Sequence, residues 1–159
     1  MYEIDVQLIS WLCTNSDEDF QFMKRIVIDL DHTICTPLDQ VDQTADRSII
    51  YVEAQPNLEC IARIREYKAQ GFEIVIYTSR NMRTFAANVD DIRKYTLPGI
   101  VDWLARHEVP YDEVVVGKFW CGTNGFYVDD RAIRPSEFIG KDYEEVITLL
   151  EKEKILLKK

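Results

Sequence analysis

Cysteine is scarce and widely spaced: Cys13, Cys35, Cys60 and Cys121 form no C-x-x-C pair and stand beside no histidine cluster. That spacing argues against a zinc site or a disulfide framework and fits reduced thiols in a cytosolic protein. Glycine and proline are also few, six and five residues, within an otherwise ordinary globular composition. No apolar run approaches the length of a membrane span, so no membrane partner is expected. Positive charge falls short, with 19 Lys and Arg against 28 Asp and Glu and a formal charge of −9. A broad nucleic-acid surface needs a basic patch, so none is expected. A small anionic substrate stays open, because a metal and a few Lys or Arg can reverse the local potential. Residues Met1 to Phe22 contain no Lys or Arg and so lack the basic start of a signal peptide. A cytoplasmic location is expected.

At 159 residues, 47% of them hydrophobic, the chain suits one domain with a substantial core. Residues 1–22 read as an N-terminal extension of uncertain role. Ile4, Leu8, Trp11 and Leu12 recur there at helical spacing before the polar break Thr14-Asn15-Ser16-Asp17. The main domain, 23–159, alternates strand and helix. Strands are expected over Arg25 to Leu30, Phe72 to Tyr77, Glu113 to Val116 and Gly125 to Val128. Helices are expected over Gln55 to Gln70, opened by Pro56 and closed by Gly71, over Pro98 to His107, and over Asp142 to Leu157. Continuous apolar strands separated by helices imply an α/β fold with a central parallel sheet covered on both faces. In such sheets ligands sit outside the carboxyl ends of the strands.

The first strand runs straight into Asp29-Leu30-Asp31-His32-Thr33. In an extended chain residues i and i+2 point to one side, so the two carboxylates can converge. Desolvating two like charges together is costly unless a cation or proton compensates. A divalent metal and a phosphate group would do so; a strand end running into an acidic turn is the plainer alternative. The other strand ends carry Thr78, Ser79 and Arg80, then Lys118, then Asp129 and Asp130. Each alone has an ordinary explanation as a cap, a turn or a solvated charge. Four such ends in chain order on one sheet edge read together as a chemical site.

That set resembles the haloacid-dehalogenase superfamily of phosphatases, whose motifs match in order. D-x-D-x-T is Asp29 to Thr33, the hydrophobic strand ending in Thr is Ile74 to Thr78, the motif lysine is Lys118, and the acidic pair is Asp129-Asp130. The segments Tyr77 to Arg83 and Gly117 to Gly122 resemble phosphatases of capsule and surface-polysaccharide biosynthesis. The resemblance implies a Rossmannoid three-layer sandwich and an Mg²⁺-dependent phosphohydrolase. It gives Asp29 the nucleophile's role and Asp31 that of proton carrier, with Thr78 and Lys118 on the phosphoryl oxygens. It also implies that Mg²⁺ is held by Asp29, the Asp31 backbone carbonyl and a carboxylate of the acidic pair, Asp130 ahead of Asp129, which would hold Lys118. An Asp at position 31 favours a hydrolase over a transport ATPase. One departure is His32, where most relatives carry Gly; such a position can require an unusual backbone angle.

Family members often insert a cap domain, but only Ile34 to Ala54 is spare here, enough for a hairpin flap. A capless site implies closure by that flap, by residues 1–22 or by another subunit, so a homo-oligomer is hypothesised. Ser79, Arg80, Arg83, Arg131 and Arg134 are candidates to read an anionic substrate, and Phe119 and Trp120 to form an apolar or sugar-stacking wall. Surface salt bridging and core packing are the competing accounts of these side chains. The expected substrate is a small phosphorylated sugar or sugar acid. The alternatives are a nucleotide or polynucleotide-end phosphatase, or a phosphate-binding module without turnover.

Overall fold

β-Branched residues make up most of the three strands at the centre of the computed structural model, which describes residues 23–38 and 49–156. In chain order the elements are β1 (Arg25–Ile28), β2 (Cys35–Thr36), α1 (Ile49–Val52), β3 (Gln55–Pro56), α2 (Leu58–Ala69), β4 (Glu73–Thr78), α3 (Val89–Tyr95), α4 (Leu97–Arg106), β5 (Glu113–Val116), α5 (Pro135–Gly140) and α6 (Tyr143–Leu156). The main sheet has the order β1-β4-β5, all parallel, with Ile28 opposite Ile76 and Thr78 opposite Val116. Ile74, Val75 and Ile76 are all buried, as the central strand of a sheet covered on both faces must be. The register brings the ends of β1, β4 and β5 to one edge. The expected mixed α/β architecture with a parallel sheet is therefore present.

Helix α2 presents Cys60, Ile61, Ile64 and Tyr67 to the core. Tyr67 stacks on Phe138 of α5 at 5.4 Å and meets Phe72 edge-on at 5.0 Å. Helices α3 and α4 pack beside β5, with Ile92, Ile100, Trp103 and Leu104 buried. The indole N–H of Trp103 donates to the Ala54 carbonyl at 3.0 Å, tying α4 to the start of β3. No helix among the described residues is long and apolar enough to cross a membrane.

Several boundaries differ from the sequence reading for identifiable reasons. Pro56 does not open α2: it lies in β3, paired antiparallel with β2, and Asn57 caps the helix by accepting from the Cys60 N–H at 3.2 Å. Helices α3 and α5 were not anticipated, although Asn88 caps the first by accepting from the Asp90 and Asp91 N–H groups. The expected strand Gly125 to Val128 is not a strand. The Tyr127 hydroxyl donates to the Phe119 carbonyl at 2.7 Å, folding the segment back on the loop after β5 and leaving Phe126 and Val128 exposed. The β2–β3 pair forms the base of the expected flap, whose residues 39–48 lie outside the described ones, as does the N-terminal extension 1–22.

Candidate functional site

The loop after β1 is organised around one carbonyl. Leu30 C=O accepts from the N–H groups of Thr33, Ile34 and Cys35 at 3.3, 2.9 and 3.1 Å, and the Leu30 side chain is fully buried. Residue 32 must then take the left-handed backbone, and His32 does so with φ of 61°. That is a conformation glycine adopts more readily than histidine; the imidazole itself is exposed. The loop thus carries Asp29 and Asp31 on an anchored turn rather than on a continuing strand.

Each carboxylate has its own cation. Asp29 Oδ2 lies 3.2 Å from Lys118 Nζ, and Lys118 also stands over the Tyr127 ring at 4.4 Å. Asp31 is gripped by Arg80, whose Nε lies 3.1 Å from Oδ2 and whose Nη2 lies 2.5 Å from Oδ1. The charge problem posed by D-x-D is met here by two ion pairs. Arg80 is 4% exposed. Burial works against its charge, but the hydrogen bond and negative charge of Asp31 outweigh it and hold the guanidinium above its ordinary range. Its outer side is covered by the Tyr51 ring at 4.5 Å, and Nη2 also lies 3.4 Å from Cys35 Sγ. Burial, reinforced by Asp31, pushes the Cys35 thiol up to about 12, so it stays protonated. Tyr51 is likewise raised, by burial first and then by Asp31.

Thr78 is fully buried at the end of β4; its hydroxyl accepts from the Arg80 N–H at 3.1 Å, and its carbonyl accepts from the Lys118 N–H at 3.1 Å. Gly117 allows this approach: its φ is +90°, and a Cβ there would meet Val89 Cγ2 at 3.0 Å. Asp29, Asp31, Thr78, Arg80 and Lys118 are thereby brought to one edge of the sheet.

Other candidates stand apart from this group. Arg80 is turned inward onto Asp31, so it is not free to read a substrate. Arg83 is exposed, 5.8 Å from the Trp120 ring centroid, and Ser79 is half-buried. Phe119 and Trp120 face solvent rather than the core. Asp129 accepts from the Arg131 N–H at 2.7 Å, closing a local turn, and Asp130, Arg131 and Arg134 are exposed. With Lys118 on Asp29, Asp129 does not hold it. Among the described residues no three His, Cys, Asp or Glu side chains gather as a metal set. As placed, these carboxylates do not complete the expected Mg²⁺ set: neither Asp129 nor Asp130 joins Asp29 in a metal-holding group among the described residues. Tyr51 and Cys35, which complete the surroundings of Asp31, had no signal in the sequence.

No family model and no curated protein matches the chain. The structure of a Pnkp1/Rnl/Hen1 complex is similar over 76% of this chain and 35% of that one, with 19% identity and a TM-score of 0.43, too distant to bear on fold or chemistry. The crystal structure of an MCSG target protein from Vibrio cholerae is similar over 82% of this chain and 99% of that one, with a TM-score of 0.73. With 50% identity over that span, the chain belongs to the same family as the Vibrio cholerae protein.

Proposed function

We propose that the chain is a capless phosphohydrolase of the haloacid-dehalogenase superfamily, a cytoplasmic enzyme acting on a phosphorylated sugar or sugar acid in surface-polysaccharide biosynthesis. The observation that carries the reading is the gathering of Asp29, Asp31, Thr78 and Lys118 at one sheet edge, with Lys118 Nζ 3.2 Å from Asp29. A carboxylate beside a lysine that also borders open solvent is suited to attack an incoming phosphate monoester. An Asp29 oxygen bonds to phosphorus, the bond to the leaving oxygen breaks, and that oxygen takes a proton that Asp31, ionised in its pair with Arg80, has first accepted from the monoanionic phosphate ester. The ionised Asp31 then takes a proton from water, whose oxygen attacks phosphorus; the bond to Asp29 breaks and phosphate departs. Lys118 neutralises charge on the phosphoryl oxygens during both steps.

Mg²⁺ dependence belongs to this proposal as an expectation from the resemblance. Asp29 and Asp31 stand at the site while Asp129 and Asp130 do not, so cation binding requires the Asp129-Asp130 segment to approach. The missing third carboxylate is the one observation that favours the rival reading, a phosphate-binding module without turnover. A phosphate-release screen over sugar phosphates, nucleotides and phosphorylated oligonucleotides, with and without Mg²⁺, separates them. Release from sugar phosphates, rising with Mg²⁺, is expected. Release from none of the panel would overturn the enzyme reading, and release confined to nucleotides or oligonucleotide ends would overturn the substrate class.

A further inference from the structure

We propose that Arg80 is a positioning residue, whose two-point fork fixes the carboxylate of Asp31 while Tyr51 covers the fork; this rests on the phosphohydrolase reading. A buried guanidinium is tolerated only when paired, and Arg80 spends its pairing on one side chain. Nε and Nη2 meet the two Asp31 oxygens separately, which sets the plane of the carboxylate as well as its place. Arg80 is itself held at its backbone by Thr78 Oγ1 and on its outer side by Tyr51. Arg83, three residues on, shows the contrast: it is exposed and makes no such fork.

A carboxylate offers about four lone-pair sites; the fork uses two, and the Cys35 thiol, 3.6 Å from Oδ1, takes a third. The remaining site can carry a proton to the leaving oxygen from a fixed direction. Without the fork, Asp31 could rotate away from that line, and reaction steps that need the proton would suffer most. An ion pair that only holds the fold together would instead affect all substrates alike.

The test compares kcat/KM for p-nitrophenyl phosphate, whose leaving group needs no proton, with that for the best alkyl phosphate of a sugar-phosphate set. Because kcat/KM ends at release of the leaving group, the later attack by water does not enter. Arg80→Gln is expected to lower the alkyl value about 100-fold and the aryl value less than about 5-fold, the range that general acid catalysis supplies. Asp31→Asn should give the same split. Arg80→Lys, which keeps charge but not the fork, should remain at least about 10-fold down on the alkyl substrate. Tyr51→Leu should show a smaller split in the same direction, about 5-fold, in keeping with a lost cation–aromatic contact. Thermal unfolding of each variant checks folding, and if Arg80→Gln does not fold, Arg80→Lys and Tyr51→Leu decide the matter. Equal losses on both substrates, or full recovery with lysine, would overturn the positioning role. Wild-type protein inert toward every substrate would instead remove the phosphohydrolase reading, and this proposal with it.

Discussion

His32 shows how a single residue records the demands of a site. The loop that carries Asp29 and Asp31 closes on the Leu30 carbonyl, and that closure puts residue 32 at φ of 61°. A non-glycine residue there costs about 1–2 kcal/mol, partly offset by the greater chain entropy that glycine loses on folding. His32→Gly is therefore predicted to stabilise the fold by about 0.5–1 kcal/mol, read as a rise in the midpoint of thermal unfolding. No change, or a loss, would mean the imidazole makes a contribution that its exposure conceals. Asp29, Thr78 and Lys118 were legible in the sequence because each stands at or just past the carboxyl end of a strand and needs only the parallel register to meet. The Arg80–Asp31 pair was not: the partners are 49 residues apart, and nothing local says which of Arg80 and Arg83 turns inward.

At the scale of elements, strand β5 was read with its observed limits because its Glu-Val-Val-Val sequence ends in a run of β-branched valines and has a partner in β4. Gly125 to Val128 also holds aromatic and β-branched residues but lies off the sheet, so composition alone did not decide its pairing. Helix α2 was placed correctly in its body and wrongly at its start, where Asn57 rather than Pro56 sets the boundary. Asn57 also joins the helix to the loop after β1: its Nδ2 donates to the Thr33 carbonyl at 3.1 Å and its backbone N–H to the Ile34 carbonyl at 2.8 Å. Asn57→Ala removes both the cap and the Thr33 tie, so a loss of about 1–2 kcal/mol in denaturant unfolding is predicted, accompanied by slower turnover. A stability change below about 0.3 kcal/mol would contradict the capping account.

At the scale of the molecule, the described residues include large apolar side chains left exposed close in sequence to Lys118. Phe119, Phe126 and Val128 are 82%, 79% and 87% exposed in the segment that follows Lys118. Exposed large apolar side chains mark an interaction surface where they form one contiguous patch. This fits the hypothesis that a second copy covers the capless site and excludes water from it. Light scattering is predicted to give a dimer or larger assembly, with specific activity falling on dilution to the nanomolar range. A monomer fully active at that dilution would sink the hypothesis.

The central claim, that Asp29 is the nucleophile of a phosphohydrolase, is tested most directly by phosphate release from the best substrate with wild-type protein and Asp29→Asn side by side. The substitution keeps the size of the side chain while removing the carboxylate that Lys118 faces. A fall in kcat of at least about 1,000-fold is predicted, with the thermal midpoint little changed. Turnover by Asp29→Asn at the wild-type rate would contradict it.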